Sequence, residues 1–421
     1  MIPIPIWAVI LDGVILIVLV LIIWSVKRRR RPRLELERTG TDQLAPSLSG
    51  LTLGTRVGGN KIELLQNGAL WDRMLEDIAA ARETVNYETF LAKDGALVQR
   101  FTGALLAKVR EEVQVRVLLD GRGGRTFGKP HLRALREAGV KVRFYHPTLL
   151  SNLGLLNQRD HRKLCVIDGR IGYVGGHCLT DDWLGNAEDN KHFRDVTARV
   201  EGPIVAQLQS AFSENWIEET GEVPGGTNFF PELHPCGDME AHVAFLSPAG
   251  SPSTLKLLHY ILIHSAKKSI TIQNPYFLPD PDARKALVEA AQRGVEVRVM
   301  IPDAKATDSP IVQHASHHHY GTLLKGGVKL YDYQKTLLHQ KVITVDGTWS
   351  AIGSTNFDDR SFEVNDEVSL TVHDERIARE LEETFERDLA DAKEVDLEAW
   401  KRRPVKHKLL DFSAFLLNEQ L

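Results

Sequence analysis

One block of sequence occurs twice in this chain, and that duplication limits the possible folds more than any other feature. The first copy opens with a helix-like stretch WDRMLEDIAAARETV and a strand VNYETFL. A helix over about residues 95–112, a strand VQVRVLLDG, a helix HLRALREAGV and a strand VKVRFYHP follow, and the copy closes on HRKLCVIDGRIGYVGG. The second copy has a helix TLKLLHYILIHSAK, a strand SITIQNPYFL and a helix DARKALVEAAQRGV. Then come a strand VEVRVMIPD, a helix near HHYGTLLKGGV, a strand VKLYDYQ, and HQKVITVDGTWSAIGS. The pairs VQVRVLLDG/VEVRVMIPD and REAGVKVRFY/LKGGVKLYDY keep the same order in both copies. Strands alternating with helices of ten or more residues predict an α/β sheet with helices on both faces. Two such copies predict a pseudo-twofold pair of α/β/α halves.

The predicted division has six parts. Residues 1–33 form a transmembrane anchor with a basic flank, and residues 34–58, rich in Pro, Gly, Ser and Thr, form a linker. Residues 59–221 and 243–403 are the two halves. The turn-rich stretch 222–242 joins them, and 404–421 is a C-terminal segment.

From Pro3 to Trp24 the chain is apolar except for Asp12. As a helix, about 22 residues span roughly 33 Å, enough to cross a bilayer. Asp12 opposes insertion by about 2.5–3.5 kcal/mol, which the run ILIVLVLII largely offsets at roughly 0.3–0.6 kcal/mol per aliphatic residue. A cleaved signal peptide needs basic residues before the apolar run. Here none precedes it, and KRRRRPR (Lys27 to Arg33) follows it. That flank predicts an uncleaved single-pass anchor with everything after Lys27 on the cytoplasmic side. Residues 1–33 carry six basic side chains and Asp12, a net of +5. The whole chain is −4, so the remainder is −9. An acidic body is a poor footprint for general nucleic-acid binding, whereas the basic cluster suits anionic lipid head groups. Cys165, Cys178 and Cys236 show neither metal-ligand spacing nor an even-numbered framework, as suits a reduced compartment.

Each copy contains His-x-Lys, four residues, then Asp: His161, Lys163 and Asp168, and His339, Lys341 and Asp346. The intervening LCVI and VITV are apolar and β-prone. On a strand, His and Lys two apart share a face, so imidazole and ammonium can address the same phosphate oxygens. A Gly-rich turn follows at one offset, Gly175-Gly176 and Gly353-Ser354, where backbone amides and a hydroxyl can approach an anion. A lone His-x-Lys is most often a solvated strand face. Two with identical spacing inside two longer matching blocks reverse that reading.

The duplicated His-x-Lys-x4-Asp motif resembles the mark of the phospholipase D superfamily, over roughly residues 60–400, and is most similar to bacterial cardiolipin synthases. NYETFL, RDHRKLCVIDGRIGYVGG, FRDVTARVEGPIV, IQNPYFLPD, LLHQKVITVDG and GSTNFDDRSFEVNDE support it. The resemblance implies an active site at the interface of the halves, on the inner membrane of a bacterium. It implies phosphatidyl transfer through a phosphohistidine, with an anionic glycerophospholipid as substrate. The chemistry of a phosphodiester agrees: one imidazole attacks phosphorus, the other gives and takes the proton, and Lys163 and Lys341 stabilise the oxyanion. No metal and no cofactor is required. By resemblance Asp195 and Glu367 orient the imidazoles, and Asp168 and Asp346 become structural or charge-balancing members of the catalytic motif. Gly175, Gly176, Ser354 and Asn356 orient the machinery or contact phosphate. One departure is Cys178, which stands where the family has Asn and is a much poorer hydrogen-bond partner.

Four activities share these residues: transfer to a second lipid alcohol giving cardiolipin, hydrolysis as a phospholipase D, a membrane-tethered nuclease, and an inactive scaffold. The anchor and acidic body favour lipid over nucleic acid, and two intact motifs oppose the scaffold. His317, His318 and His319 are consecutive, point in different directions and read as part of a helix surface. Trp183, Trp216 and Trp349 read as core. The stretch KLLDFSAFLL, Lys408 to Leu417, is too short to span a bilayer and either lies on one or caps the core.

Overall fold

In the computed structural model the described residues are Trp7, 11–17, Leu34, 41–147, 158–246 and 253–416. Residues 1–35 and 36–421 form separate compact units. In the first, Leu11–Ile17 is helical with large apolar side chains exposed. The rest of the predicted anchor, apart from Trp7, lies outside the described residues. Among the described residues no helix is long and apolar enough to cross a membrane.

The second unit is built on one mixed sheet of fifteen strands. Its first seven are β1 (Val57–Gln66), β2 (Thr84–Thr89), β3 (Gln114–Asp120), β4 (Lys141–Tyr145), β5 (Lys163–Ile167), β6 (Ile171–Gly175) and β7 (Val196–Glu201). The next seven are β8 (Met239–Leu246), β9 (Ser269–Gln273), β10 (Glu296–Pro302), β11 (Lys329–Tyr333), β12 (Val342–Val345), β13 (Trp349–Gly353) and β14 (Glu367–His373). A short β15 (Ala392–Glu394) pairs with β11 and covers that edge. From one edge inward the order is β4-β3-β2-β5-β6-β7-β1; from β11 inward it is β11-β10-β9-β12-β13-β14-β8. The two orders match strand for strand and meet where β1 pairs antiparallel with β8. The duplicated sequence therefore folds as a duplicated pairing pattern.

The outer strands β2, β3 and β4 are parallel, as are β9, β10 and β11. Parallel strands need both faces covered, which suits the continuous apolar runs VLL (117–119) and VMI (299–301) that follow an alternating start in each strand. One face of the first half packs its apolar side chains against helices Ala69–Ala80, Ala96–Arg110 and Lys129–Glu137. The other face is shared between the halves. Leu164, Val166, Val174, Ala198 and Val200 share one hydrophobic cluster with helix Val205–Thr220 and with Val342, Ile352, Val368 and Leu370 of the second half. The halves thus meet through a common core. Two differences concern the predicted linker. It contains the helix Thr41–Leu51, whose Leu48 is buried, and β1 begins inside it at Val57.

The Asp of each motif closes a hairpin. In the turns after β5 and β12, Asp168 and Gly169, and Asp346 and Gly347, all take positive φ, as a type I′ hairpin turn demands. Asp168 accepts from the backbone N–H groups of Arg82, Glu83 and Thr84 at 2.8–2.9 Å. Asp346 does the same for Lys267, Lys268 and Ser269. Their carboxylates thus pin the start of β2 and β9. We expect Asp168→Ala and Asp346→Ala to lower stability by roughly 1–3 kcal/mol each, the cost of stranding backbone donors. Urea midpoints measure this.

Candidate active site

His161 and Lys163 sit at the start of β5, and His339 and Lys341 at the start of β12. Val342 pairs with Gln273, the last residue of β9, so His339 lies beyond the C-terminal ends of the parallel strands β9 and β10. Both imidazoles and both ammonium groups are buried, each residue at most 8% exposed.

Each histidine is held by the other half of the molecule. His161 Nδ1 lies 2.8 Å from Glu367 Oε1, and His339 Nδ1 lies 2.8 Å from Asp195 Oδ2. Their backbones cross in the same way: the His161 N–H donates to Asp366 O at 2.9 Å, and that of His339 to Arg194 O at 2.8 Å. A carboxylate on Nδ1 fixes the N–H there and leaves Nε2 with its lone pair. Neither half alone carries a complete histidine–carboxylate pair.

The lysines face the same space. Lys163 Nζ donates to His161 O, and Lys341 Nζ to His339 O, both at 2.6 Å; Lys341 Nζ also lies 3.0 Å from His339 Nε2. Burial, then the neighbouring ammonium groups Lys163 and Lys341, push His161 well below its usual range. Burial and Lys341 push His339 down to about 4. Both imidazoles are therefore neutral in the free protein at pH 7. Lys341 is itself lowered by burial to about 7, with Asp195 opposing the shift.

The two carboxylates differ. Burial alone would raise Asp195, but the imidazoles His177 and His339 and the Lys341 ammonium outweigh it and hold Asp195 well below the usual range. It also accepts from Trp183 Nε1 and from the Val196 N–H, each at 2.8 Å. Glu367 is raised by burial to about 7, against the opposing Lys163 and a hydrogen bond from Ser354. One dyad thus contains a fixed anion and the other an acid near its midpoint at neutral pH.

The asymmetry comes from the cationic neighbours of Asp195, and each carboxylate also has a hydrogen-bond donor from or shortly after a Gly-rich turn. Ser354 Oγ donates to Glu367 Oε2 and accepts from the Val368 N–H at 3.0 Å. Its hydroxyl is directed to the carboxylate, away from the phosphate contact that the sequence also allowed. In the first half the Trp183 indole supplies the equivalent donor. A Cβ on Gly176 would overlap the Asp195 carboxylate, and one on Gly175 would overlap Thr197, so both positions need glycine for close approach. Asn356 is buried with its Oδ1 unpaired. Cys178, at the corresponding place, packs into the hydrophobic core, its Sγ 3.9 Å from Gly176 O.

Sequence reasoning missed two aromatic contacts. Trp183, read as core, also stands edge-on to His339 at 4.9 Å between centroids. Phe90 stands against His161 at 5.2 Å and lies 5.6 Å from Lys163 Nζ. Phe90 belongs to NYETFL, a segment already singled out; for Trp183 only its place shortly after the Gly pair offered a signal. Of the consecutive histidines, His317 turns to Asp411, while His318 and His319 lie 5.2 Å apart between ring centroids and both pack on Phe415, His319 also meeting Arg284. The sequence did not reveal that His317 also joins a set with His314. His314, His317 and Asp411 place ligand atoms within 4.8 Å of one another, while Arg403 holds the second oxygen of Asp411.

A family model described as "Cardiolipin synthase, PLD-like domain" matches residues 74–216 and 260–389. The major cardiolipin synthase of Bacillus subtilis is 34% identical over 366 residues, 85% of this chain and 75% of that protein. A cardiolipin synthase A of Pseudomonas putida is 35% identical over 81% of this chain and 71% of its own. Among solved structures, the phosphatidylserine synthase of Haemophilus influenzae superimposes with a TM-score of 0.67 at 13% identity, over 89% of this chain and 99% of that one. It shares the fold.

Proposed function

This chain belongs to the phospholipase D-like family of cardiolipin synthases, and we propose that it joins two phosphatidylglycerol molecules into cardiolipin, releasing glycerol. The observation that carries the mechanism is the crossed pairing of His161 with Glu367 and His339 with Asp195. A phosphodiester needs a nucleophile on one side and a proton donor on the other. Two imidazoles, each fixed from behind through Nδ1, supply that pair, and Lys341 Nζ, 3.0 Å from His339 Nε2, turns to the phosphate when substrate binds.

In the first step one Nε2 lone pair attacks phosphorus, and the P–O bond to the departing glycerol breaks. The other imidazole, protonated, gives its proton to the leaving oxygen. In the second step it takes the proton of the incoming head-group hydroxyl, whose oxygen attacks phosphorus as the P–N bond breaks. Both imidazoles are neutral in the free protein, so one of them takes up a proton from solvent as the anionic substrate binds. The phosphodiester anion offsets the two ammonium groups that depress the imidazoles and so favours an imidazolium. Lys163 and Lys341 stabilise the charge building on the equatorial oxygens. The low exposure of these four side chains limits water and favours transfer over hydrolysis. No step calls for a metal or cofactor, and the acidic body disfavours nucleic acid as substrate.

Purified protein on phosphatidylglycerol vesicles tests this reading. Cardiolipin and glycerol are expected in equal amounts. Phosphatidic acid as the main product would make the enzyme a phospholipase D, and cleavage of single-stranded DNA without lipid turnover would make it a nuclease.

Lys341 gives a pH signature. It is charged below its lowered value of about 7 and neutral above it. Only the charged form stabilises the oxyanion, so kcat/KM is expected to fall as pH rises through about 7. Lys341→Arg, which stays charged, is expected to lose that limb, even at a reduced rate. A limb unchanged in the arginine variant would assign it to another group.

The apolar run Pro3 to Trp24 serves in this reading as an uncleaved single-pass anchor, with the catalytic body on the cytoplasmic face of the inner membrane. KRRRRPR after the run supports that orientation. A topology reporter fused after Leu421 is expected to report cytoplasm. Periplasmic activity would reverse the orientation, and a mature chain starting beyond residue 26 would remove the anchor.

A further inference from the structure

We infer that the C-terminal helix Val405–Phe415 is a second membrane contact, an amphipathic element that rests its outer face on an anionic bilayer beside the active site. The inference builds on the lipid reading of the site. It starts from an apolar stripe that no other described residue covers. Val405, Leu409, Phe412 and Leu416 are 69%, 62%, 50% and 66% exposed. They recur at intervals of four, three and four residues, so they line one face of the helix and its C-terminal cap.

The opposite face is anchored. Asp411, 1% exposed, accepts from His314 Nδ1 at 2.9 Å and from Arg403 Nη2 at 3.0 Å. Ala414 packs on Leu278, Val312 and Ala315, and Phe415 stacks on His318 with 4.1 Å between centroids. The helix is therefore held in place by protein contacts with its apolar stripe turned outward. One face caps the core, as one of the two roles open to this segment from sequence requires, and the other face is left for a partner.

Charge identifies the partner. Residues 401–408 contain Lys401, Arg402, Arg403, Lys406 and Lys408, and no acidic side chain occurs from 399 to 410. Residues 34–421 as a whole carry −9. A basic run flanking an apolar stripe matches lipid phosphates above acyl chains. A second copy of this chain fits poorly, because Arg402, Lys406 and Lys408, which border the stripe, would repel their own copies across it.

Position adds to this. Helix Pro310–Lys325, on which the C-terminal helix lies, follows the C-terminal end of β10, the end of the sheet at which His339 stands. Leu278, beneath Ala414, donates its N–H to Phe357 O at 2.9 Å, and Phe357 follows Asn356 of the site. A bilayer meeting this helix would bring lipid head groups to the active-site end of the sheet.

The test uses the full-length protein in vesicles, with exposed Cys236 replaced by Ser and an environment-sensitive fluorophore on Leu409→Cys. Glu137→Cys, at the far end of a first-half helix, is the control. In phosphatidylglycerol vesicles the label at 409 is expected to shift to the blue and to be quenched by nitroxide on the acyl chain. The label at 137 should not. No quenching at 409 overturns the inference. So does a blue shift that vanishes on dilution of protein at constant lipid, which would mean a second copy. In a second arm, Leu409→Glu with Phe412→Glu is expected to slow turnover of vesicle lipid at least about tenfold, with turnover of dispersed short-chain phosphatidylglycerol and thermal stability unchanged. Equal loss on both substrates overturns the inference. If wild type turns over neither substrate, the lipid function fails, while the quenching result still decides the contact.

Discussion

His161→Ala and His339→Ala are each expected to lower kcat by about four to six orders of magnitude, with the double variant no slower than either single one. Nucleophile and general acid act as a unit, so removing one makes the other nearly useless. The crossed pairing strengthens this expectation, because each imidazole is held by a carboxylate from the opposite half. The loss is one of chemistry beyond any change in stability: each alanine leaves a buried carboxylate without its imidazole partner, at a cost of roughly 1–3 kcal/mol, so kcat is read on protein shown to be folded by circular dichroism. Two single variants whose losses multiply would mean that the histidines work independently, against the two-step scheme.

The second large effect separates the two carboxylates. Asp195→Asn is expected to reduce kcat by about 10³–10⁴, the range seen when a carboxylate that fixes a catalytic imidazole becomes an amide. Asp195 is a fixed anion, held low by His177, His339 and Lys341 despite burial, with Trp183 and the Val196 N–H on its oxygens. An amide there presents the wrong charge and invites the wrong tautomer of His339. Glu367→Gln is expected to be milder, about ten- to a hundredfold, because burial already raises Glu367 to about 7 and Gln resembles its protonated form. The difference should shrink below pH 7, where wild-type Glu367 is itself increasingly protonated. Steady-state kinetics from roughly pH 5.5 to 8.5 measure both. Equal losses at every pH would contradict the assigned asymmetry.

These residues show what the sequence made legible. Duplication, strand–helix alternation and the two His-x-Lys motifs are local, periodic patterns, and the matched strand orders follow from them. The crossed pairs are separated by 206 and 144 residues, and nothing in local spacing joins His161 to Glu367 in preference to Asp195. That choice is made by strand pairing around β7 and β14. Both alternate, with Val196, Ala198 and Val200 in β7 and Val368, Leu370 and Val372 in β14, but alternation does not name a partner strand. β7 buries Thr197 and Arg199, the latter bonded to Asp77, and so lacks an apolar run. β1 carries two glycines near its start, and its first residues fall in the predicted linker. Trp183 illustrates the same limit. A buried tryptophan is most often core, and only the placement of Asp195 turns its N–H into part of the site. The motif aspartates were readable as structural or charge-balancing, but not by partner, since the backbone amides they bind lie more than seventy residues away in sequence.

The central claim is a double displacement at phosphorus by a histidine pair assembled from both halves. Its most direct test is rapid quenching of the purified enzyme with phosphatidylglycerol labelled in the phosphate, followed by peptide mapping under alkaline conditions that preserve phosphoramidates. The account predicts a phosphatidyl adduct on His161 or His339 that forms before cardiolipin and disappears when either histidine is replaced by alanine. Cardiolipin formed with no adduct in the first turnover, or label on any other side chain, would contradict it.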